Sequence, residues 1–561
     1  MKPLDKSILK FFNAPDDMKY CSSTVPLLEK KGEEIWVKHD RVKYYNISDV
    51  KELTCCYRGF HRPNHIDDIT SRSVDDRVEY TPCTRFKHSV EIKHEFIRVV
   101  CSVASKTVYE QFYAVTPLKE FTSHNDVGEI LYNKSGYNVL VLGIDAVSRL
   151  NFHRTMPKTA NFLKENGALE LMGYNKVADN TFPNLIPMLI GLAANELTKT
   201  CVPYKFSKFD NCPIVWEWFK QAGYYNAFGE DGTLLGLFND KRGGFSTTPT
   251  DYYLYTFMNE ANNHIGNNRD FFTNLCMGDT FFYKILLDYI DNLTKTLQHK
   301  RLFGFFWEIT MSHDHLNYPK IMDDDYVKLL NSLEASKYLN NTILLLASDH
   351  GIRWGEIRKT KQGRLEERLP LMYILTPPKR LTTPFDVHAT LMDLIDLENL
   401  KDDVIAERSD KTYSNDRSIS LFLPIPSNRT CRTADIEDHW CTCHKSFTVS
   451  KDDPKAIEAS TALVTLLNLM LESHPQCAQL NLTDIFYVTK LEAGVAEEAE
   501  LSWSEFMVVL KTSPGGGIFE ATVKQEGKDW ALAGTPSRLN VYGDQSRCVD
   551  QNQLKLYCYC H

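Results

Sequence analysis

The amino-acid sequence predicts an α/β protein whose mostly parallel central sheet carries helices on both faces. Continuous apolar runs at 137–145, 301–315 and 341–351 are typical of strands that are buried on both faces. Helix-like segments separate these runs, as expected when neighbouring strands are parallel. Cysteines concentrate before and after this central part. We therefore expect a β-rich N-terminal domain on one side and a small, cysteine-rich α+β C-terminal domain on the other.

The predicted N-terminal domain covers residues 1–131. Its segments at 89–103 and 107–115 alternate between apolar and polar residues and are rich in β-branched side chains. Such alternation favours antiparallel strands. The pattern predicts a small β-rich domain and indicates no function for it.

The predicted catalytic domain covers residues 132–425, where strands and helices alternate. The strand that ends at Asp145 precedes a helix at 157–167, which starts with Pro and ends with Gly. A strand at 168–177 and a turn at 178–184 follow. The other predicted helices lie at 184–193, 214–223, 281–298, 323–339 and 386–395.

The predicted C-terminal domain covers residues 426–561. One helix at 456–471 and several strand-like runs predict a small antiparallel sheet with a covering helix. The runs lie at 483–492, 504–512, 517–525 and 528–534. None of them carries a catalytic constellation.

Composition excludes some classes of function. The net charge is −9 and the basic residues are dispersed, so no basic stripe for nucleic acid is expected. No apolar run approaches the roughly 20 residues that span a bilayer, so no transmembrane segment is expected. The first residues, MKPLDKSILKFF, lack the apolar core of a signal peptide.

Cysteine usage favours an oxidising compartment. Twelve of the fifteen cysteines lie in the two ends, and only Cys201, Cys212 and Cys276 lie between them. This pattern predicts disulfide-braced terminal modules with one unpaired thiol. The alternative is a zinc site built from Cys441, Cys443, His444, Cys558, Cys560 and His561. The Cys-x-Cys pairs lack the two-residue gap of most structural zinc sites, which favours disulfides.

The expected location is therefore extracellular or within the secretory pathway, with the signal sequence missing from this chain. Six N-glycosylation sequons are compatible with secretion but add little, because an Asn-rich chain carries several by chance. They start at Asn46, Asn133, Asn292, Asn340, Asn428 and Asn481.

Acidic and imidazole side chains follow the predicted strands. Asp145 ends the first, His313 the second, and Asp349 with His350 the third, while Thr181 lies at a strand-to-helix turn. The carboxyl ends of parallel strands share one edge of a sheet, so these residues are expected to meet there. Carboxylates and imidazoles suit Zn²⁺, and a metal lowers the pKa of a Thr hydroxyl. This set of residues predicts an enzyme that catalyses nucleophilic displacement at phosphorus or sulfur.

These motifs are similar to those of the alkaline phosphatase superfamily, which includes sulfatases, phosphodiesterases and phosphoethanolamine transferases. The shared motifs are GIDAVSR, NTFPN and SDHG, in this order. The chain most resembles a sulfatase-like family of extracellular animal proteins with a cysteine-rich carboxyl end, on the motifs SDHGIRWGEIRKTKQGRLEERLP and TPFDVHATLMDL. The resemblance implies Thr181 as nucleophile and a set of metal ligands. That set comprises Asp145, Thr181, His313, Asp349, His350 and His388.

The nucleophile motif departs from that of sulfatases. They need Cys or Ser in a C/S-x-P-x-R element, because that residue is oxidised to formylglycine. Here Thr181 stands in that position and Leu185 in place of the Arg. A formylglycine sulfatase is therefore not expected, and Thr-Phe-Pro-Asn resembles the phosphodiesterase version.

The second metal site also departs from the phosphodiesterase pattern. The Asp expected four residues before His313 is Ile309, which leaves Glu308 or Asp314 as substitutes and permits a mononuclear site. Glu230 and Asp231 lie where sulfatases often place a Lys, so they would repel a free anion or bind a cation.

Each candidate also has a structural interpretation. Thr181 could cap the following helix, and His388 could be a satisfied buried histidine. Asp349 and His350 could form a surface turn before a glycine. A basic segment after them is most simply a solvated loop, with substrate-anion contact as the alternative; its residues are Arg353, Arg358, Lys361 and Arg364.

The expected function is that of a metal-dependent hydrolase of phosphoric esters with Thr181 as nucleophile. Diesters on extracellular glycans or lipids, or small phosphodiesters, are the expected substrates. One or two Zn²⁺ ions are expected, with the ion at the second position left open. The alternatives are a phosphoryl-group transferase of the phosphoethanolamine-transferase type and an inactive, sulfatase-like extracellular binding protein. A sulfatase that works without formylglycine ranks third.

Overall fold

The computed structural model describes residues 1–12, 20–22, 24–45, 47, 50–63, 74–121, 136–374, 381–409, 416–426, 428–492, 503–527 and 529–561. The sequons at Asn46 and Asn133 and the predicted domain boundary at 131/132 lie outside these residues. The division into three domains stays a prediction.

The N-terminal region is β-rich, as predicted. A short helix, α1 (Lys6–Leu9), precedes strands β1 (Leu28–Lys31), β2 (Glu34–Val37), β3 (Thr54–His61), β4 (Glu79–Tyr80), β5 (Thr84–Phe86), β6 (Ser89–Glu91), β7 (Phe96–Val103) and β8 (Lys106–Ala114). In the described ranges, β1, β2 and β6 form one antiparallel sheet, and β4, β3, β7 and β8 form another with β5 beside β3. Alternate side chains of β7 are buried, which explains its alternating sequence.

The central sheet contains the predicted buried strands. The strands of this part are β9 (Asn138–Ile144), β10 (Leu169–Glu170), β11 (Tyr225–Glu230), β12 (Tyr252–Tyr253), β13 (Gly266–Asp270), β14 (Thr273–Met277), β15 (Thr280–Phe281), β16 (Leu302–Glu308), β17 (Thr342–Ala347) and β18 (Met372–Ile374). The strand order over the described residues is β10-β18-β17-β9-β16-β11-β12. From β17 to β12 the strands are parallel, and β18 and β10 are antiparallel additions. A separate small sheet joins β13, β14 and β15.

The predicted strand at 168–177 is much shorter than expected. Its ladder ends at Glu170, and the backbone N–H groups of Asn175 and Lys176 donate to the carbonyls of Thr382 and Arg368. The apolar pattern of this segment therefore reflects burial against loops rather than continued strand pairing.

Helices cover both faces of the sheet. They are α2 (Arg149–Thr155), α3 (Pro157–Glu165), α4 (Thr181–Ile190), α5 (Leu197–Thr200), α6 (Val215–Gln221), α7 (Tyr255–Ile265), α8 (Phe282–Thr296), α9 (Pro319–Ala335), α10 (Lys361–Arg368), α11 (Pro384–Ile395) and α12 (Asp402–Ser409). Leu140 and Leu142 of β9 face one hydrophobic core, and Val139 and Val141 face the other. Because successive side chains of a strand point to opposite faces, both cores meet at β9.

The C-terminal region is an antiparallel sheet with a covering helix, as predicted. Its elements are β19 (Lys445–Val449), α13 (Pro454–Leu471), β20 (Asn481–Glu492), β21 (Trp503–Ser513), β22 (Ile518–Glu526), β23 (Asp529–Leu532), β24 (Ser537–Arg538) and α14 (Asn552–Lys555). Strands β19 to β23 pair in chain order, and β24 pairs with β22. None of the helices in the described residues is long and apolar enough to cross a membrane.

Disulfides account for all but one of the cysteines. The pairs are Cys21–Cys276, Cys55–Cys101, Cys56–Cys83, Cys201–Cys212, Cys431–Cys441, Cys477–Cys558 and Cys548–Cys560. Cys443 is the predicted unpaired thiol. The alternative zinc site is wrong, because Cys441, Cys558 and Cys560 are bound in disulfides.

Candidate metal centre and nucleophile

The site lies at the carboxyl ends of the parallel strands. Asp145 follows β9, Glu308 ends β16, and Asp349 and His350 follow β17 by two and three residues. Because β17, β9 and β16 are adjacent and parallel, their last residues share one edge of the sheet. The sequence therefore folds three separate segments into one acidic edge.

Asp145, Asp349 and His350 form the tightest group at this edge. One potential ligand atom from each residue lies within 4.8 Å of the others, and all three residues are buried. Oδ1 of Asp349 accepts hydrogen bonds from the N–H groups of Ala146 (3.1 Å) and His350 (2.9 Å). These bonds fix the Asp349 carboxylate against the strand end that carries Asp145.

The imidazole of His350 is held as a neutral acceptor. Its Nδ1 lies 2.9 Å from the carbonyl oxygen of Gly351, and since a carbonyl only accepts, Nδ1 carries the proton. Burial and the positive charge of Arg353 hold the pKa of His350 well below its usual range. Nε2, the ring nitrogen without a proton in this tautomer, lies 3.1 Å from Oδ2 of Asp349.

This group fits a divalent cation. Oδ1 of Asp145 and Oδ2 of Asp349 are buried and make no hydrogen bond to described residues. Burial, together with the charge of Asp349, raises the pKa of Asp145 well above its usual range. Such uncompensated acceptors are costly unless a cation binds them, and the oxygen and nitrogen donors match Zn²⁺.

Thr181 lies beside this group at the start of α4. Its Oγ1 donates to Oδ2 of Asp145 at 3.3 Å and is 3.4 Å from Nε2 of His350. Asn180, and not Thr181, is the N-cap residue of the helix. The hydroxyl therefore has two acceptors for its proton and lies next to the backbone N–H groups of a helix N-terminus, which favour anions.

Asn184 is a functional candidate that the sequence analysis missed. Its fully buried side chain accepts from the N–H groups of Val177 (2.8 Å) and Ala178 (3.1 Å). It also donates to the carbonyls of Ala178 (2.8 Å) and Asn180 (2.9 Å). Four hydrogen bonds thus hold the turn that presents Thr181. An Asn in the first turn of an otherwise apolar helix was the available signal.

His313 lies near the group but outside it. Its Nδ1 is 2.8 Å from Oδ1 of Asp314, and its ring packs edgewise against Phe272 and Trp354. Its neighbour His315 pairs instead with Asp270, 2.8 Å from Nε2 to Oδ2. The structure therefore does not bring His313, Asp314 or His315 into the cluster of ligand atoms.

His388 lies at the opposite end of α4 from Thr181. Its Nδ1 is 3.1 Å from the carbonyl oxygen of Met188, which fixes the ring by a backbone hydrogen bond. The ring also lies close over Gly191, where a Cβ atom would approach Nε2 to 2.7 Å. This placement gives His388 a structural role as a partly buried histidine that is held by one backbone hydrogen bond.

The neighbouring acids hold loops at the same edge. Oδ1 of Asp231 accepts a hydrogen bond from the backbone N–H of Ile309 at 2.6 Å. Oε1 of Glu308 accepts one from the backbone N–H of Met311 at 2.7 Å. The carboxylate of Glu230 accepts one from the backbone N–H of Leu237. Burial raises the pKa of Asp231 to about 6 and of Glu230 to about 8. Burial, followed by the charge of Asp231, raises the pKa of Glu308 well above its usual range.

The basic segment after His350 is only partly a solvated loop. Lys361 is exposed, as expected, but Arg358 and Arg364 are 1% and 2% exposed. Nη2 of Arg358 donates to Oε2 of Glu520 at 3.2 Å, and Arg364 stacks on the ring of Tyr487. The C-terminal sheet covers these residues, which local sequence does not reveal.

The chain belongs to the family described as "Protein of unknown function (DUF229)". The sequence profile of that family matches residues 15–486, which is most of the chain. This agrees with the sulfatase-like family that the sequence predicts. A search of curated proteins finds no significant match.

A comparison with solved structures finds matches at low similarity. The lipoteichoic acid synthase LtaP from Listeria monocytogenes is 10% identical, with a TM-score of 0.33, over 46% of this chain and 72% of that chain. An alkaline phosphatase superfamily protein from Vibrio parahaemolyticus is 11% identical, with a TM-score of 0.33, over 76% of this chain and 86% of that chain. The phosphonate monoester hydrolase SpPMH from Silicibacter pomeroyi is 12% identical, with a TM-score of 0.36, over 70% of this chain and 90% of that chain. At this similarity the matches assign no activity to this chain.

Proposed function

We propose that the protein is a metal-dependent hydrolase of phosphoric esters that uses Thr181 as its nucleophile. One observation carries the proposal: the Thr181 hydroxyl contacts Asp145 and His350 in the group that also contains Asp349. A hydroxyl next to two buried acceptors and a helix N-terminus is equipped for attack on an anionic centre.

The residues of the chain have distinct roles in this mechanism. Oδ2 of Asp145 accepts the proton as Oγ1 of Thr181 forms its bond to phosphorus, and the ester oxygen departs with the bonding electron pair and takes a proton from solvent. Asn184 holds the turn, so the hydroxyl is oriented before substrate binds. Water then attacks phosphorus and breaks its bond to Oγ1, the proton held by Asp145 returns to Oγ1, and the phosphoryl group leaves with the oxygen of that water.

Asp145, Asp349 and His350 would hold the metal, for which we propose Zn²⁺. When bound, such an ion supplies Lewis-acid stabilisation of negative charge and lowers the pKa of an oxygen nucleophile. The proposed ligand set leaves out His313 and His388, whose Nδ1 atoms lie within hydrogen-bond distance of Asp314 and of the carbonyl oxygen of Met188.

The proposed substrates are diesters on extracellular glycans or lipids. The seven disulfides in the described chain support an oxidising, extracellular setting. A transferase would share the first half of the reaction and replace water by an acceptor alcohol. A formylglycine sulfatase remains disfavoured, because Thr181 is neither Cys nor Ser.

Turnover of nitrophenyl phosphate monoester, phosphate diester and sulfate ester substrates tests the proposal. We expect diester hydrolysis that Thr181→Ala reduces by roughly a thousandfold or more, with partial activity in Thr181→Ser. Thr465→Ala is the matched control, because Thr465 only hydrogen-bonds within the exposed face of α13. No turnover by folded, zinc-supplemented protein would contradict the hydrolase, and turnover that rises with added alcohol acceptor would favour the transferase.

A further inference from the structure

Arg353 is the most accessible cation of a charge network beside the site. Its side chain is 22% exposed, whereas those of Lys176, Arg358 and Arg368 are 0%, 1% and 5% exposed. Lys176 pairs with Glu367, and the two buried arginines pair with Glu520. All four cations pair with carboxylates, and Arg353, which pairs with Asp179, is the most exposed of them.

Arg353 also lies close to the turn that carries the nucleophile. Its guanidinium pairs with Asp179, which precedes Thr181 by two residues. Arg353 follows His350 by three residues in the chain, so the turn after β17 fixes both. A guanidinium offers five donors in a planar fork. Its Nη1 makes one hydrogen bond, to Oδ2 of Asp179 at 3.2 Å.

Asp179 connects Arg353 to the nucleophile and to the C-terminal sheet. It precedes Thr181 by two residues, and its Oδ1 accepts a hydrogen bond from Oγ of Ser537 at 3.1 Å. The carboxylate of Asp179 therefore orients the guanidinium through Oδ2 and binds the C-terminal sheet through Oδ1.

The C-terminal sheet holds the same segment at a second point. Ser537 in β24 is the pairing partner of Glu520 in β22. Glu520 binds Arg358 at 3.2 Å and Arg368 at 3.0 Å, and Nη1 of Arg358 donates to the backbone carbonyl of Arg353 at 2.9 Å. Both ends of the Arg353 residue, its carbonyl and its guanidinium, are thus positioned through β22 and β24. These strands lie beyond residue 486, where the family match ends.

We propose that Arg353 binds the non-bridging oxygens of the ester at Thr181, and that Ser537 of the C-terminal sheet positions it through Asp179. This inference rests on the proposed function and adds the anion-binding residue to it. The C-terminal sheet is then part of the active site rather than a separate binding module. Arginine suits this role because its fork matches the geometry of a tetrahedral oxyanion.

The test compares Arg353→Gln, Arg353→Lys and Ser537→Ala in the full chain. Inorganic phosphate is the probe: its binding is measured by calorimetry and its inhibition constant by diester turnover. We expect Arg353→Gln to weaken phosphate binding at least tenfold, Arg353→Lys to restore part of it, and Ser537→Ala to weaken it a few-fold. Lys359→Gln is the control, since Lys359 lies in the same segment but pairs with Glu356.

The role of Ser537 is tested by combining the changes. If Ser537 acts through Arg353, Ser537→Ala has no further effect on phosphate binding in the Arg353→Gln background. Equal effects in both backgrounds would overturn the positioning role. Phosphate affinity that is unchanged in folded Arg353→Gln and Arg353→Lys proteins would overturn the anion-binding role. Arg353-dependent phosphate binding without any turnover would support this inference while contradicting the proposed hydrolase.

Discussion

At the scale of single residues, one hydroxyl faces two proton acceptors. Oγ1 of Thr181 lies 3.3 Å from Asp145 and 3.4 Å from His350, and both acceptors are deeply buried. The Thr side chain alone does not set this geometry, because the backbone of the turn decides where its staggered χ1 rotamers place the hydroxyl. The four hydrogen bonds of Asn184 supply the constraint.

Replacing Asn184 by Ala is expected to impair both stability and turnover. The change leaves the buried N–H groups of Val177 and Ala178 without their acceptor, which costs about 3 kcal/mol. Displacement of Thr181 is expected to lower kcat about a hundredfold. Urea unfolding and turnover measure the two effects. Asn166→Ala is the control, because Asn166 only donates to Phe162 on an exposed helix end. Unchanged kcat in folded Asn184→Ala protein would show that this residue does not orient the nucleophile.

At the scale of elements, α4 presents different chemistry at its two ends. Its N-terminus carries Thr181, and its C-terminus ends at Gly191 in the left-handed conformation, with φ of 76°. The ring of His388 lies against that glycine. We therefore assign His388 to the packing of α11 on α4.

Two glycine substitutions separate this packing from backbone strain. Gly167 and Gly191 have φ of 77° and 76°, so alanine at either position costs about 1 kcal/mol of strain. Only at Gly191 would the new Cβ meet a ring, at 2.7 Å from His388. Thermal unfolding should therefore show a larger loss for Gly191→Ala than for Gly167→Ala. Equal losses of thermal stability in the two variants would mean that His388 moves away from α4 without destabilising the protein.

Helices and strands were predictable from sequence where their burial produces a recognisable pattern of apolar residues. The strands β9, β16 and β17 are buried on both faces, so their apolar runs reveal them. The approach of Asp145 to Asp349 and His350 follows from parallel strand ends, although their role as ligands stays a prediction. The strand at 168–177 was overestimated, because apolar residues packed against loops resemble a strand.

Long-range partners were not predictable. Burial of Arg358 depends on Glu520, 162 residues further along the chain, and nothing in a basic segment indicates that partner. The disulfide Cys21–Cys276 likewise joins the N-terminal region to β14 across 255 residues. Asn184 was overlooked because its hydrogen bonds go to the backbone of a turn whose shape the sequence does not specify.

At the scale of the whole molecule, buried charges connect the central and C-terminal sheets. Burial alone would raise the pKa of Glu520, but Arg358 and Arg368 lower it to about 2 from an ordinary value of 4.5. A carboxylate with a lowered pKa in the folded state stabilises the protein above its unfolded pKa. This stabilisation is lost as the pH falls from about 4.5 towards 2.

The substitution Glu520→Gln tests this connection. It leaves two buried arginines without their partner, so we expect a loss of roughly 3 kcal/mol in unfolding free energy at pH 7. The difference in unfolding free energy between the variant and the unsubstituted protein should shrink below about pH 4.5, because there the Glu520 carboxylate takes up a proton when the protein unfolds. Urea unfolding at several pH values measures this difference. The control is Glu356→Gln, because Glu356 is exposed. A difference that does not vary with pH would contradict the charge-based connection.

The central claim is that Asp145, Asp349 and His350 hold a metal beside Thr181. The most direct test is the metal content per chain of protein purified without chelators, measured by plasma mass spectrometry. We predict at least one equivalent of zinc, lost when Asp349→Ala and His350→Ala are combined and retained in His388→Gln. Folded protein with no stoichiometric metal, or full retention of metal by the double variant, would contradict the claim.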